Sequence, residues 1–310
     1  MSARAELLDD AGAAAESEEF FRSRAFLDAE GVTHTLRVTS ARGALAAPVI
    51  AREIPGSDRR DAISPYGYPG ATTSGEGPLD PADVDWSQTG LVSVFLRDRA
   101  AGKPAFGGAT ERNRLQVSDP AEQRKSRMSD RQQIRRNERD GYRIERIDGP
   151  DAGPDERASY AVAYDETMAR AGASERYLYG PEYWEYLLSS PRSWLFMVRA
   201  PEGGDAAGAI AVLSDGVVHY YLSGTADAHL SASPAKNLIA AVTDFAEELG
   251  APVNLGGGVT PGDSLEAFKR GFANTELPFR THEIVCDPAA YDELSAGRED
   301  TGFFPLYRAP

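Results

Sequence analysis

The pattern of apolar and polar positions along the chain predicts alternating helices and strands. Apolar residues that recur every three to four positions predict helices over 20–29, 160–171, 181–188, 234–249 and 263–271. Short apolar or alternating runs between turn residues predict strands over 32–38, 46–54, 91–96, 194–199, 207–213, 217–222, 253–255 and 281–286. The second half therefore contains a three-stranded meander that leads into a strand–helix–strand unit. This order is typical of an α/β protein of the α+β kind with a mixed sheet.

Two segments lack this periodicity and suggest the domain boundaries. Residues 1–17 are rich in Ala and Glu, which indicates a disordered tail. Residues 148–157 concentrate Gly, Pro and Asp, which indicates a linker. The sequence therefore predicts an N-terminal domain over 18–147 and a C-terminal domain over 158–310.

Length and composition narrow the class of protein. A chain of 310 residues suits two domains better than one large core. Its apolar runs fall short of the roughly 18–20 residues that a membrane span needs, and its start lacks the pattern of a secretory signal. The single cysteine, Cys286, excludes an internal disulfide and fits a reducing compartment. We therefore expect a cytoplasmic protein without an integral membrane segment.

Charge is distributed unevenly along the chain. The net charge of −15 argues against a whole surface adapted to nucleic acid. The segment 124–146 nevertheless carries nine basic side chains against four carboxylates. Within it, Arg131, Arg135, Arg139 and Arg143 recur every four residues, so they would share one helix face. This face would either contact the phosphates of a nucleic acid or form an ordinary solvated surface.

Motifs of several common enzyme classes are absent from the sequence. No histidine pairs with another histidine, the cysteine or a carboxylate at metal-ligand spacing, so no metal site is predicted. The sequence also lacks the Gly-x-Ser-x-Gly elbow, the Gly-Lys-Ser/Thr phosphate loop and the dinucleotide glycine fingerprint. Hydrolase, kinase and nicotinamide chemistry are therefore disfavoured.

Two neighbouring features remain as candidates for chemistry. The run Gly256-Gly257-Gly258 follows a predicted strand, where bare backbone would approach a ligand closely or simply form a turn. Lys269 flanks the apolar face of the next predicted helix, beside Phe268. Such a lysine would either place a positive charge in a poorly hydrated pocket, where it stabilises an oxyanion, or extend along the surface to solvent.

A tyrosine pair supplies a third candidate. Tyr220 and Tyr221 are adjacent in the predicted strand 217–222, so their side chains should point to opposite faces of the sheet. We expect one ring in the core and the other within reach of a ligand.

These residues together resemble the Fem transferases, which are aminoacyl-tRNA-dependent relatives of the GNAT acetyltransferases. The resemblance covers most of the chain from about residue 18. Its segments are His219-Tyr-Tyr-Leu-Ser-Gly-Thr225, Ser233-Pro-Ala-Lys-Asn-Leu238, Asn254-Leu-Gly-Gly-Gly-Val259, Asp263-Ser-Leu-Glu-Ala-Phe-Lys-Arg-Gly-Phe272, the loop Ser64-Pro-Tyr-Gly-Tyr68, the basic segment Arg131–Gly141 and the end Phe303-Phe304-Pro305-Leu306-Tyr307-Arg308.

The resemblance implies two tandem GNAT-like domains, of which the second carries the reaction. It implies that Phe268 and Lys269 lie near the reacting ester. The common helix face and the local positive charge predict that Arg131, Arg135 and Arg139 contact tRNA. The resemblance places the family's acceptor pocket on Tyr183 and Tyr221. We also expect substrate binding at Tyr66 and Tyr68 of the recurring loop and at the backbone of Gly256, Gly257 and Gly258. The long coiled-coil arm of some members is absent, because the chain has no heptad run.

The expected partners are an aminoacyl-tRNA co-substrate and an amine on a small molecule or a peptidoglycan precursor. Coenzyme A is a less favoured donor, because His229–Pro234 lacks the Arg/Gln-x-x-Gly-x-Gly/Ala signature with which GNAT enzymes hold its pyrophosphate. No other cofactor is predicted. The alternatives are an acyl-CoA-dependent N-acyltransferase and a non-catalytic binding module on the same fold.

Overall fold

The structure is a computed structural model that describes residues 3–16, 18–75 and 79–309. The chain forms two compact units. Unit 1 comprises Met1–Ser17, Phe21–Arg112 and Phe279–Pro310. Unit 2 comprises Glu18–Phe20 and Asn113–Pro278.

The described residues form fourteen strands and seven α-helices. The strands are β1 (Ala3–Leu8), β2 (His34–Ser40), β3 (Gly43–Glu53), β4 (Arg60–Ile63), β5 (Thr72–Gly75), β6 (Val84–Asp85), β7 (Leu91–Arg97), β8 (Thr110–Ser118), β9 (Arg143–Asp148), β10 (Ser193–Arg199), β11 (Asp205–Ser214), β12 (Val217–Thr225), β13 (Val253–Asn254) and β14 (Thr275–Val285). The α-helices are α1 (Arg24–Ala29), α2 (Met128–Arg139), α3 (Pro154–Ala171), α4 (Pro181–Leu188), α5 (Ala235–Glu248), α6 (Ser264–Arg270) and α7 (Pro288–Ser295).

Unit 1 is built on a mixed sheet in the order β6-β1-β2-β3-β4-β7-β14, with β5 paired to β3. The β1–β6 and β4–β7 pairs are parallel, whereas the other neighbours are antiparallel. Alternating small and aliphatic side chains fill the core, among them Leu36, Val38, Ala47 and Val49, each fully buried.

The strands of unit 2 pair in the order β8-β13-β12-β11-β10-β9. Only its β12–β13 pair is parallel. Helix α5 packs Leu238, Ile239 and Val242 onto one face of the sheet, and all three side chains are fully buried. Helix α3 packs against β11 and β12, where Gly224 lets the helix backbone at Ala163 approach closely.

The parallel and antiparallel strand pairs and the helices packed on them confirm the predicted α+β class with a mixed sheet. The helical pattern over 181–188 corresponds residue for residue to α4, and the pattern over 234–249 differs from α5 by one residue at each end. The starting prolines and the apolar spacing explain this agreement, because both helices begin at or just after a proline and bury one face.

The beginning of the chain differs from the predicted disordered tail over 1–17. Residues Ala3–Leu8 form β1, which pairs with β2. Ala3 and Ala5 are buried in the core of unit 1. Alanine contributes so little apolar area that the alternation was not visible as a strand pattern. Met1, Ser2 and Ser17 lie outside the described residues.

The unit boundaries also differ from the predicted division at 148–157. Strand β9 occupies Arg143–Asp148 and pairs with β10 over six residues, so residues 113–157 belong to unit 2. The chain then returns to unit 1 at Phe279. The charged residues of β9 suit an edge strand and obscure its periodicity. Arg143 consequently lies in a strand and does not extend the arginine face of α2, which ends at Arg139.

Among the described residues, no helix combines the length and apolar character that crossing a bilayer requires.

Candidate functional site

The two parallel strands of unit 2 separate after a short pairing. Register between β12 and β13 covers only Val218 with Val253 and His219 with Asn254. Strand β12 continues to Thr225, whereas the chain after Asn254 follows β8 through the Leu255 N–H to Gln116 O hydrogen bond of 2.9 Å. Ligands of open sheets bind at the carboxyl ends of parallel strands, where neighbouring connections diverge. This divergence lies directly before the predicted glycine run.

The glycine run forms a tightly held loop. Gly256 has φ of +80°, a conformation that favours glycine. A Cβ on Gly257 would lie 2.6 Å from Asn113 Nδ2 and 2.9 Å from the Arg114 carbonyl oxygen. A Cβ on Gly258 would overlap the Asp263 carboxylate. The loop therefore needs glycine for close approach, which is more than an ordinary turn requires.

Helix α6 begins at an Asp263 cap that also holds the loop. One carboxylate oxygen accepts the Glu266 N–H at 2.8 Å. The other accepts the N–H groups of Val259 at 2.7 Å and Thr260 at 3.0 Å. These backbone hydrogen bonds, that of Glu266 first, hold the pKa of Asp263 below its usual value. The Asp-x-x-Glu spacing at a helix start was a readable signal for this cap.

Lys269 lies on α6 with its ammonium against the glycine loop. Its Nζ donates a hydrogen bond of 2.8 Å to the Gly257 carbonyl oxygen. The residue is half-buried, and burial lowers the pKa of Lys269 to about 8, although the negative charge of Asp263 acts in the opposite direction. Lys269 is therefore not an extended surface lysine; its cation is confined in a poorly hydrated position.

Phe268 lies on the same helix and faces the core of unit 2. Its ring meets Phe272 edge-on at a centroid distance of 5.7 Å and packs against the cluster that includes Val253 and Leu255. Phe268 therefore anchors the helix in the core at the position next to Lys269.

The tyrosine pair occupies a β-bulge of β12. In the β11–β12 pair, Ile210 lies opposite Leu222 and the next residue, Ala211, lies opposite Tyr220. Tyr221 is therefore the extra residue of the bulge. Tyr220 is buried among the residues that pack on α5, and burial raises its pKa to about 12. The ring of Tyr221 is half-buried and meets Phe20 edge-on at 6.3 Å.

Tyr183 belongs to a packed aromatic cluster of unit 2. It is 8% exposed, and its ring stacks on Tyr179 with centroids 3.8 Å apart. Trp184 lies edge-on to both rings at 5.4 Å. Packing is sufficient to account for this position.

Tyr66 and Tyr68 lie in unit 1. The N–H of Tyr66 donates to Glu30 Oε2 at 2.9 Å, and its side chain is exposed. The ring of Tyr68 contacts Phe21 and Phe279 edge-on at centroid distances of 5.7 and 5.5 Å. The residues predicted to bind substrate are therefore divided between the two units.

Helix α2 carries the predicted arginine face. Arg131, Arg135 and Arg139 are exposed along it. The opposite face carries Asp130, which pairs with Lys236 of α5 at 3.0 Å, and Asn137, whose Nδ2 donates to Asn237 Oδ1 at 2.7 Å. These buried polar pairs fix the helix on α5, so its arginines point to solvent. The sequence pattern gave no signal for either pair, since about a hundred residues separate the partners.

Comparison with known proteins identifies the fold. Residues 124–270, which lie inside unit 2, match the family model of the acetyltransferase (GNAT) domain. No curated protein shows significant sequence similarity to the chain.

Three solved structures are similar in fold at low sequence identity. FemX is 11% identical and superposes with a TM-score of 0.57, covering 84% of this chain and 90% of that chain. The C-terminal domain of a protein described as a lysylphosphatidylglycerol synthetase, from Agrobacterium fabrum, is 15% identical, with a TM-score of 0.52 and coverage of 79% and 82%. L-PGS from Bacillus licheniformis is 13% identical, with a TM-score of 0.52 and coverage of 82% and 84%. The protein therefore has a FemX-like fold of the α+β class, and the region similar to the acetyltransferase (GNAT) domain lies in unit 2.

Proposed function

We propose that the protein transfers an aminoacyl group from a charged tRNA to an amine of a small metabolite or a peptidoglycan precursor, forming an amide. The observation that carries this proposal is the half-buried ammonium of Lys269, held beside the glycine loop where β12 and β13 diverge. A GNAT fold supports acyl transfer in general, and the confined ammonium suits the oxyanion that forms when the acyl carbonyl is attacked.

The chemistry needs a positive charge at one oxygen atom. The nitrogen of the acceptor attacks the ester carbonyl carbon, and the carbonyl electron pair moves onto oxygen, giving a tetrahedral oxyanion. Collapse reforms the carbonyl and breaks the ester bond, and the departing ribose oxygen takes the proton that the amine loses. An ammonium in a poorly hydrated site stabilises this oxyanion more than it stabilises the neutral ester. With a pKa of about 8, Lys269 is about nine-tenths protonated at pH 7.

The segment before α5 supports tRNA over coenzyme A as donor. Residues Asp227–Ala232 form a 3-10 helix without glycine, and Ser233 follows with φ of +50°. The Ala232 carbonyl accepts a hydrogen bond of 2.8 Å from Asn137 Nδ2, which ties this segment to α2. Such a segment offers little of the open glycine backbone that wraps a pyrophosphate. The exposed Arg131, Arg135 and Arg139 provide positive charge suited to tRNA phosphates.

Similar structures agree with an aminoacyl donor. FemX shares the fold, and another similar structure is named for a synthetase whose product carries a lysyl group.

One observation favours the alternative of an acyl-CoA donor. The first turn of α5 has no side-chain cap, so the Ala235 N–H could receive a phosphate oxygen, whereas the Lys236 and Asn237 N–H groups already donate to the Ser233 and Pro234 carbonyls. In that reaction a thioester would replace the ester, and Lys269 would stabilise the same kind of oxyanion.

A transfer assay separates the candidate functions. The protein is incubated with total charged tRNA carrying labelled amino acids and with a panel of amines and peptidoglycan precursors, with and without ribonuclease, beside a labelled acetyl-CoA reaction. We expect amide product that disappears with ribonuclease. Product from acetyl-CoA alone would establish the alternative donor. Absence of transfer from both donors, with binding of either, would support a non-catalytic binding module.

A further inference from the structure

A buried hydrogen-bond relay runs from β12 to the glycine loop. His219 and Asn254 are in register across the parallel β12–β13 pair, 2% and 1% exposed respectively. Asn254 Nδ2 lies 3.1 Å from His219 Nδ1, and Asn254 Oδ1 accepts the Gly256 N–H at 2.8 Å. The relay therefore ends at the residue that begins the loop.

The backbone fixes the direction of every bond in this relay. A backbone N–H only donates, so the atom of Asn254 facing Gly256 must be Oδ1. Its Nδ2 then donates to His219, whose Nδ1 must be unprotonated. Burial lowers the pKa of His219 to about 4, against the opposing effects of a backbone hydrogen bond with Ser214 and the charge of Asp215, so the neutral imidazole is the form present at neutral pH.

The glycine loop connects the relay to Lys269 through a backbone carbonyl. The Gly257 carbonyl, one residue beyond the end of the relay, is the acceptor for Lys269 Nζ at 2.8 Å. The Gly258 carbonyl is held by Asn113 Nδ2 at 3.0 Å. Because Gly256 and its neighbours are glycines, the loop has many alternative conformations, and side-chain hydrogen bonds must select one of them.

We propose that Asn254, oriented by His219, is a positioning residue that holds the Gly257 carbonyl, and through it the Lys269 ammonium, in place. The effect of Asn254 on the reaction rate rests on the proposed function, whereas its effect on the position of the Lys269 ammonium does not. Neither residue touches the reacting atoms in this scheme. Loss of the relay frees the loop, so the ammonium moves into water and no longer meets the developing oxyanion at a fixed distance.

Variants on both sides of one hydrogen bond test the relay. Asn254→Ala removes the contact with Gly256, and His219→Leu removes the acceptor for Asn254 at similar bulk. His219→Asn keeps an acceptor oxygen near the position of Nδ1 and should retain the relay. Thr243→Val is the matched control, because Thr243 is a buried residue of α5 whose Oγ1 donates to the Ile239 carbonyl at 2.7 Å, outside the loop.

The first readout is the pKa of Lys269 itself. Reductive methylation with ¹³C-formaldehyde labels the lysines, of which the chain has only four, so NMR titration resolves each one. We expect the Lys269 pKa to rise by a unit or more towards 10.5 in Asn254→Ala and His219→Leu, and to stay near 8 in His219→Asn and Thr243→Val. Circular dichroism shows which variants are folded. One folded disrupting variant, either Asn254→Ala or His219→Leu, is sufficient for the test.

Single-turnover transfer is the second readout. We expect a loss of about tenfold or more in rate with little change in donor affinity, since misplacement of a stabilising group affects the transition state. An unchanged Lys269 titration in a folded disrupting variant would overturn the positioning role. If the titration moves while even the wild-type protein shows no transfer, the relay stands and the proposed function fails.

Discussion

Lys269 Nζ donates a 2.8 Å hydrogen bond to the carbonyl oxygen of Gly257, a residue twelve positions earlier in the chain. This bond uses one of the three ammonium protons, and the others remain for a ligand or for water. It also joins the first turn after β13 to the end of α6. The position of one cation thus depends on both a loop and a helix.

Replacement of Lys269 should lower the rate of transfer without unfolding the protein. Lys269→Ala should keep the fold and lose about a hundredfold or more in single-turnover rate, the usual scale for removing an oxyanion-stabilising group. Lys269→Arg should not restore the rate, because a planar guanidinium cannot replace a compact ammonium at one oxygen. The measurement is transfer at saturating donor, with circular dichroism on each variant. Near-normal turnover of folded Lys269→Ala would remove Lys269 from the mechanism.

The pH dependence of transfer should reveal the same group. Since the pKa of Lys269 is lowered to about 8, the ammonium is present below this pH and is lost as the pH rises through it. The acceptor amine must itself be unprotonated to attack, which raises the rate with pH. We therefore expect a falling alkaline limb near pH 8 in single-turnover rates, and its absence from the residual activity of Lys269→Ala. A limb that persists in that variant would belong to another group.

The sequence predicted local structure better than long-range contacts. Helix α6 could be predicted because Asp263 caps it and apolar residues recur along it. Strand β1 could not, because its buried residues are alanines. The relay could not be predicted from the sequence either, since His219 and Asn254 are 35 residues apart and meet only through strand register.

The exposed face of α2 should contribute to tRNA binding. The triple change Arg131→Gln, Arg135→Gln and Arg139→Gln should weaken tRNA binding and make its dependence on salt less steep by about two units of log–log slope, because each phosphate contact releases counterions. The check is tRNA affinity measured across a series of salt concentrations.

A charge-matched control distinguishes local contacts from overall charge. Arg4, Arg42 and Arg60 are exposed residues of unit 1, and their change to Gln removes the same charge. This control should leave the salt dependence close to that of the wild-type protein. Equal effects of both triple variants would show that the α2 face is an ordinary solvated surface.

Coenzyme A should not bind tightly, because the segment before α5 has no glycine and is tied to α2 through Ala232 and Asn137. A ligand that binds only the folded state raises stability by mass action, by about 2.7 kcal/mol at a hundred times its Kd. We expect no shift of Tm with micromolar acetyl-CoA and a clear shift with charged tRNA. Marked stabilisation by acetyl-CoA would instead favour the alternative donor.

The buried imidazole of His219 should make the protein sensitive to acid. Its pKa is lowered from 6.5 to about 4 in the folded protein, so between these values the unfolded chain binds a proton that the folded protein does not. Stability therefore falls as the pH is lowered from about 6.5 to 4, by an upper limit of about 3 kcal/mol from this group. His219→Asn keeps a hydrogen-bond acceptor without a titrating group, so its free energy of unfolding should decline less steeply. Denaturant unfolding at pH 7, 6 and 5 measures the difference. Parallel declines in the two proteins would show that His219 is not the group that titrates.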